Sequence, residues 1–239
     1  GIAAYVFIYQ AFYGAQVAAI HAGNCGSVPC DVALQQAGQR LNALVATVVL
    51  GGTMVAFWLN VLWSMASQLY WEKEIGNLQI YMMAPMSRMS LLAGMAIGGM
   101  FMTSVRALST LVAGIVVFGV IFQVANPWML LAVFFVTLIA LYGMGMMFAS
   151  LYLLWGREAW NLSALLEEPI FFSSGMYFPV GGLFLVPTWG PAVALAGSIV
   201  PATLGLDALR QLTLPGTAPL PLASPTVELE ILVVLAVVF

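Results

Sequence analysis

Apolar runs long enough to cross a membrane alternate along this chain with short polar breaks. The first run, GIAAYVFIYQAFYGAQVAAI, covers about 1–20, and others cover about 41–67, 91–122, 128–153 and 159–179. A last run begins near Glu228 and continues to 239. About 20 apolar residues suffice to cross a bilayer core, so the pattern predicts six transmembrane helices in a single domain, 1–239, with no internal repeat. The segments of about ten residues with alternating polarity that a membrane β-barrel needs are absent. Between the fifth and sixth runs, 180–213 is apolar but cut by Gly181, Gly182, Pro187, Gly190, Pro191 and Pro201. Breakers at that density exclude one straight span and predict short re-entrant helices whose freed backbone groups are satisfied by neighbouring protein. The chain starts inside one apolar run and stops inside another, which reads as a longer protein incomplete at both ends.

Composition sharpens the class. Hydrophobic residues make up 63% of the 239 positions and charged ones 6%, against about 25% charged in a soluble domain. The fold class is therefore an all-α membrane protein. The net charge of −3 comes with no basic cluster, which excludes nucleic acid as a partner. The N-terminal run lacks a basic flank and a small-residue cleavage site, so it does not read as a cleaved signal peptide.

Sidedness rests on two cysteines. Cys25 and Cys30 are the only ones in the chain and share the first polar loop. A close pair in a loop reads as a disulfide on the oxidising side. That places 21–40 and 180–227 outside and 68–90 and 154–160 in the cytoplasm of a multi-pass protein of the plasma or inner membrane. The basic residues add little, with Lys73, Arg88 and Arg157 in inner loops against Arg40 and Arg210 in outer ones. A metal held by His21, Cys25, Cys30 and Asp31 is the alternative, and both readings make the loop structural. No metal site is assigned.

Catalytic chemistry is thin. One histidine leaves no material for histidine dyads or two-histidine metal motifs, and no Walker loop is present to cradle a triphosphate. Gly94 and Gly98 form a G-x-x-x-G that reads as close helix packing. The 14 methionines fill cores or adapt to varied apolar ligands. Three charges fall inside predicted spans: Arg106, and Glu167 with Glu168 just before Pro169. A charge at the centre of a lipid-facing helix costs about 2.5–3.5 kcal/mol or more, so each should face protein or water. Adjacent helical residues point about 100° apart, so the two glutamates cannot share one direction. They form either an internal ion pair with Arg106 or a polar spot on a substrate path.

The charges gather unusually in YWEKEIGNLQIYMMAPMSRMS, Tyr70 to Ser90, which holds Glu72, Lys73, Glu74 and Arg88 between two long apolar runs. Leu78, Tyr81 and Met82 fall at i, i+3 and i+4 on one side of a short helix, which Gly76 starts or bends and Pro85 ends. Such a segment is either an amphipathic helix that docks on a soluble partner or a solvated loop.

This stretch resembles the cytoplasmic loop of ABC-2-type permeases, the membrane subunits of ATP-driven exporters. The family pattern is approximately E-x-E-x-G-T-L-E-x-L-x-x-x-P-x-[ST]-R, met here by Glu72, Glu74, Gly76, Leu78, Pro85, Ser87 and Arg88. Asn77 and Gln79 stand where the family has Thr and Glu. A second likeness lies in FFSSGMYFPVGGLFLVPTWGPAVALAGSIVPATLGLDALRQL, which is similar to the family's external region. Ser174, Gly175, Phe178, Pro179, Pro187, Trp189, Pro201, Thr203, Ala208, Leu209 and Arg210 fit it. The first run and its loop match only in hydropathy.

The resemblance implies a permease that pairs with a second copy or a homologue and with two ATP-binding-cassette subunits. Those subunits, not this chain, would carry ATP and Mg, and this chain would be no enzyme. Residues 70–90 would be the coupling helix between spans two and three, and 180–213 would form re-entrant external helices between spans five and six. Sparse charge and apolar lining favour export of a hydrophobic or amphiphilic cargo, such as a drug-like metabolite or a lipid. The alternatives are an ATP-independent channel or secondary transporter, a non-transporting membrane anchor, and an intramembrane enzyme using Glu167 and Glu168 as acid and base.

Overall fold

The computed structural model describes residues 2–22, 29–61, 67–83, 87–216 and 220–239. Every regular element among them is helical: α1 (Ile2–His21), α2 (Cys30–Leu59), α3 (Ser67–Ile75), α4 (Asn77–Met83), α5 (Arg88–Phe118) and α6 (Pro127–Trp155). After these come α7 (Arg157–Ser173), a 3-10 helix (Val180–Leu185), α8 (Gly190–Ser198), α9 (Pro201–Thr213) and α10 (Pro225–Val238). Three helices among the described residues are long and apolar enough to cross a membrane, in α2, α5 and α6. A fourth span results if α8 and α9, bent by 98°, count as one broken crossing. α7 stands where the sequence predicts span five, but its 17 residues fall short of the roughly 20 that a bilayer core requires, and α10 stands where it predicts span six.

The central helix is α2. Its best 18-residue window is 67% buried, against 50% for α6 and 17% for α5. Positions 45–51 are buried all round, as expected of a helix apolar on every side. Its hydroxyls close on their own backbone, Thr47 Oγ1 donating to the Ala43 carbonyl at 2.7 Å and Thr53 Oγ1 to the Leu50 carbonyl at 2.6 Å. The helix begins at Cys30 rather than near 41, so much of the predicted outer loop is helical. The 30 residues of α2 extend about 45 Å at roughly 1.5 Å each, more than a hydrocarbon core of about 30 Å. A helix of that length crosses such a core only with tilt or with turns left outside it.

Local capping sets the other boundaries. α5 starts where the Ser87 hydroxyl accepts the Ser90 N–H at 3.1 Å and ends at Gly119, whose φ of 64° is left-handed. α6 starts where Asn126 Oδ1 accepts the Trp128 and Met129 N–H groups, with Pro127 in the first turn. Large apolar side chains of α5, including Ile97, Phe101, Val105, Leu108 and Val112, remain exposed, as suits a helix facing lipid.

Helices α1, α5 and α9 pack on α2, while α6, α9 and α10 form a second layer. The core between them is rich in edge-on aromatic pairs, with ring centroids 5.9 Å apart for Phe57–Phe134 and 6.4 Å for Trp58–Phe148. At one end, Asn42 of α2 pairs with Ile121 through two hydrogen bonds of 2.9 Å, copying a strand ladder. The extended chain beyond α5 then donates from Gln123 and Ala125 to the Thr213 and Leu212 carbonyls of α9. At the other end lie α3 and α4, the start of α5 and the turn between α6 and α7. Residues 30–42, 119–126 and 213 thus share one pole and 67–83, 87–88 and 156 the opposite one.

A polar knot ties α5 and α6 to the C-terminal end of α2. Tyr142 of α6 donates its hydroxyl to Asn60 Oδ1 at 2.9 Å, and Thr103 of α5 lies 3.1 Å from the same phenol oxygen. All three side chains are buried. Removing the phenol by Tyr142→Phe is expected to lower stability by about 0.6–1.7 kcal/mol, the range for interhelical hydrogen bonds in membranes. Denaturant unfolding in a fixed detergent would measure it.

Candidate functional site

The charged stretch forms two short helices. Gly76 takes a φ of 89°, open to glycine at no steric cost, and the chain turns there from α3 into α4. Glu72 is half-buried, and its Oε2 accepts the Asn77 side-chain amide at 3.1 Å across that turn. Asn77, one of the two departures from the family pattern, therefore stitches α3 to α4. Lys73 and Glu74 are exposed, as are Trp71, Ile75, Ile80 and Met83. Leu78 sits in α4, Arg88 is the first residue of α5, and Pro85 lies outside the described residues.

The pair is anchored on α6. Tyr70 packs against buried Tyr152 together with Phe148, and it stands edge-on to Trp71 with centroids 5.8 Å apart. Gly156, which ends α6 with a φ of 55°, would bring a Cβ within 3.4 Å of the Tyr70 ring. A mixed face of acid, lysine and large apolar side chains is thereby held against the pole where α2, α5 and α6 converge.

The opposite pole is built around α9. Arg210 is 1% exposed, and its Nη2 donates to the Thr47 carbonyl of α2 at 3.2 Å. Its Nε has no hydrogen-bond partner, while Asp207, one turn earlier, supplies electrostatic attraction. Close backbone approaches surround it. A Cβ on Gly51 would collide with the Met176 carbonyl oxygen and lie 3.3 Å from Arg210 Nη2. Ser174 and Gly175 are buried beside this point, the Ser174 hydroxyl donating to the Ile170 carbonyl. Pro179 caps the 3-10 helix and Pro201 opens α9 as a buried residue, whereas Pro187 and Trp189 are exposed. A cavity of about 350 Å³ opens at this pole beside Gln39, Asn42, Gln123 and Thr213.

The predicted mid-span charges are less enclosed. Arg106 is exposed on α5, its carbonyl accepting the Ser109 and Thr110 hydroxyls at 2.7 and 3.0 Å. Glu168 is exposed and Glu167 half-buried on α7. No hydrogen bond or ion pair joins Arg106 to Glu168 among the described residues. Cys30 opens α2 and is disulfide-bonded, and Cys25 lies outside the described residues. His21 and Asp31 are exposed near this end, and no cluster of three metal-ligating side chains occurs among the described residues.

Three polar residues escaped sequence reasoning. Asp207 is 2% exposed, Glu228 0%, and Gln211 reaches from α9 to Glu228 Oε2 at 3.2 Å. Only the spacing Asp207–Arg210–Gln211, one face of a helix, could have marked the first and last of them. Glu228 carries no local signal, because it stands at the boundary of an apolar run where a solvated charge is ordinary. No protein-family model matches the sequence, and neither a curated protein nor a solved structure matches the chain.

Proposed function

We propose that the chain is the permease subunit of an ATP-driven exporter of the ABC-2 type, moving a hydrophobic or amphiphilic cargo out of the cytoplasm. The observation that carries this reading is the α3–α4 pair. It presents Lys73, Glu74 and a set of exposed apolar side chains while Tyr70 and the Glu72–Asn77 bond hold it in one shape. A partner that pushed on α4 would move the adjoining ends of α2, α5 and α6 together, because α3 packs on α6 and chain continuity ties the pair to α2 and α5. This is the mechanical requirement of a coupling element whose energy comes from a separate ATPase. The large apolar surface of α5 suits cargo or lipid of low polarity, and Arg106, Glu167 and Glu168 are the candidate polar points on its route. A second permease copy and two ATP-binding-cassette subunits complete the proposed assembly.

Glu72→Ala with Glu74→Ala tests it. The chain is purified from gently solubilised host membranes and its stoichiometric partners identified by mass spectrometry. The expected result is a Walker-containing ATPase held by the unmodified chain and retained several-fold less by the double variant. Well-folded material that holds no ATPase would sink the exporter reading. An ATPase held equally by both forms would remove the coupling role of these carboxylates.

A further inference from the structure

The pole opposite α3–α4 carries an arrangement that the proposed function does not use. Asp207 of α9 and Glu228 of α10 are both buried, and their carboxyl groups lie within hydrogen-bonding reach of each other. Each also holds one of two successive backbone amides. The Leu222 N–H donates to Asp207 Oδ2 at 2.7 Å, and the Ala223 N–H donates to Glu228 Oε1 at 3.2 Å. Gln211 closes the ring, its Nε2 donating to the Ala223 carbonyl at 2.9 Å and to Glu228 Oε2 at 3.2 Å. Leu222 and Ala223 are thus strapped across the two helices by side chains, since no backbone bond ties them to α9, while the Ser224 carbonyl accepts the Glu228 N–H at 3.1 Å as α10 begins.

Two carboxyl oxygens attract each other only when a proton lies between them, and two buried carboxylates at that distance repel. From this geometry we infer that Glu228 keeps its proton and donates it to Asp207, a proton-dependent latch that fastens the 220–224 strap and α10 to α9. The surroundings offer little to replace that proton. Arg210 is the cation that faces Asp207, and it is already committed to Thr47 of α2, with Tyr9 of α1 beside it. α6 packs on both helices but has no charged residue between 127 and 155. Glu230 of α10 and Arg40 of α2 are exposed.

The sign follows from proton counting. The latched pair holds one proton, whereas two carboxyls released into neutral water hold none, so raising the pH favours release. The latch is closed at low pH and opens as the shared proton leaves. It requires no particular cargo and no ATPase, and it stands or falls separately from the exporter reading.

Amide hydrogen exchange on the full chain in lipid nanodiscs reads the latch directly at Leu222 and Ala223. With intrinsic exchange rates divided out, their protection is expected to fall by about tenfold per pH unit while the latched pair holds the proton and the released carboxyls do not, the slope for a single linked proton, and to level off once the latched pair has lost it. Asp207→Asn supplies its own hydrogen to Glu228 and still accepts from the Leu222 N–H, so its protection should be flat across the range. Glu228→Gln is the second variant, decisive if the first does not fold. Flat protection in the unmodified chain from pH 5 to about pH 10, well past ordinary carboxyl titration, would overturn the latch. So would a wild-type fall that persists in the amide variants.

Discussion

Arg210→Ala is expected to cost about 3–5 kcal/mol of stability, the penalty for removing one partner of a buried charged arrangement. Three losses coincide. The bond to the Thr47 carbonyl goes, a large buried side chain leaves a void between α2 and α9, and Asp207 is left buried without its neighbouring cation. The unpartnered Nε does not argue against this, since Nη2 still holds the Thr47 carbonyl. Combining Arg210→Met with Asp207→Asn removes both charges while filling the space, and should recover part of the loss, as apolar replacement of whole buried pairs often does. Denaturant unfolding of the three proteins in one detergent checks the order. An Arg210→Ala chain as stable as the parent would mean that the guanidinium does not hold α9 to α2.

Gly51→Ala is the second large effect. The helix backbone at this position touches the Met176 carbonyl so closely that even a methyl group has no room, and Arg210 Nη2 borders the same space. Accommodation requires α2 to move from the 174–178 turn, which overpacking data place at about 1–3 kcal/mol. The shift should also weaken the Arg210–Thr47 bond. Gly94→Ala on α5 is the control, because nothing lies within 4 Å of a Cβ there and alanine in an open helical position stabilises by up to about 1 kcal/mol. Thermal melts of both variants should therefore move in opposite directions. Equal shifts would show that helix propensity, not the close approach, governs position 51.

The helices most legible from hydropathy were those whose ends carry strong local signals. α5 and α6 run within a few residues of the predicted 91–122 and 128–153, because Ser87, Gly119 and Asn126-Pro127 mark their boundaries chemically. The break-up of 180–213 into a 3-10 helix, α8 and α9 was likewise written in its glycines and prolines. The early start of α2 was not. Residues 30–40 are polar enough to look like loop, yet CDVALQQAGQR consists largely of good helix formers with an acid in its first turn. Hydropathy reports solvent preference and is silent on helix outside the membrane.

The sequence alone determined the all-helical membrane character, the alternation of apolar segments and the gathering of charge at 70–90. Each of these is a local property, readable from composition and spacing within a window of some twenty residues. Tertiary structure alone decided that α2 is central, that Tyr70 pins α3 to α6, and that Asn60, Thr103 and Tyr142 meet between three helices. It also brought Asp207 to Glu228 and Arg210 to Thr47, residues far apart in the chain. Those meetings depend on how each helix is rotated and on where glycine lets backbones approach. In an apolar medium nearly every face of such a helix is equally greasy, so hydrophobic periodicity gives no direction, and packing with the few buried polar groups chooses the partners.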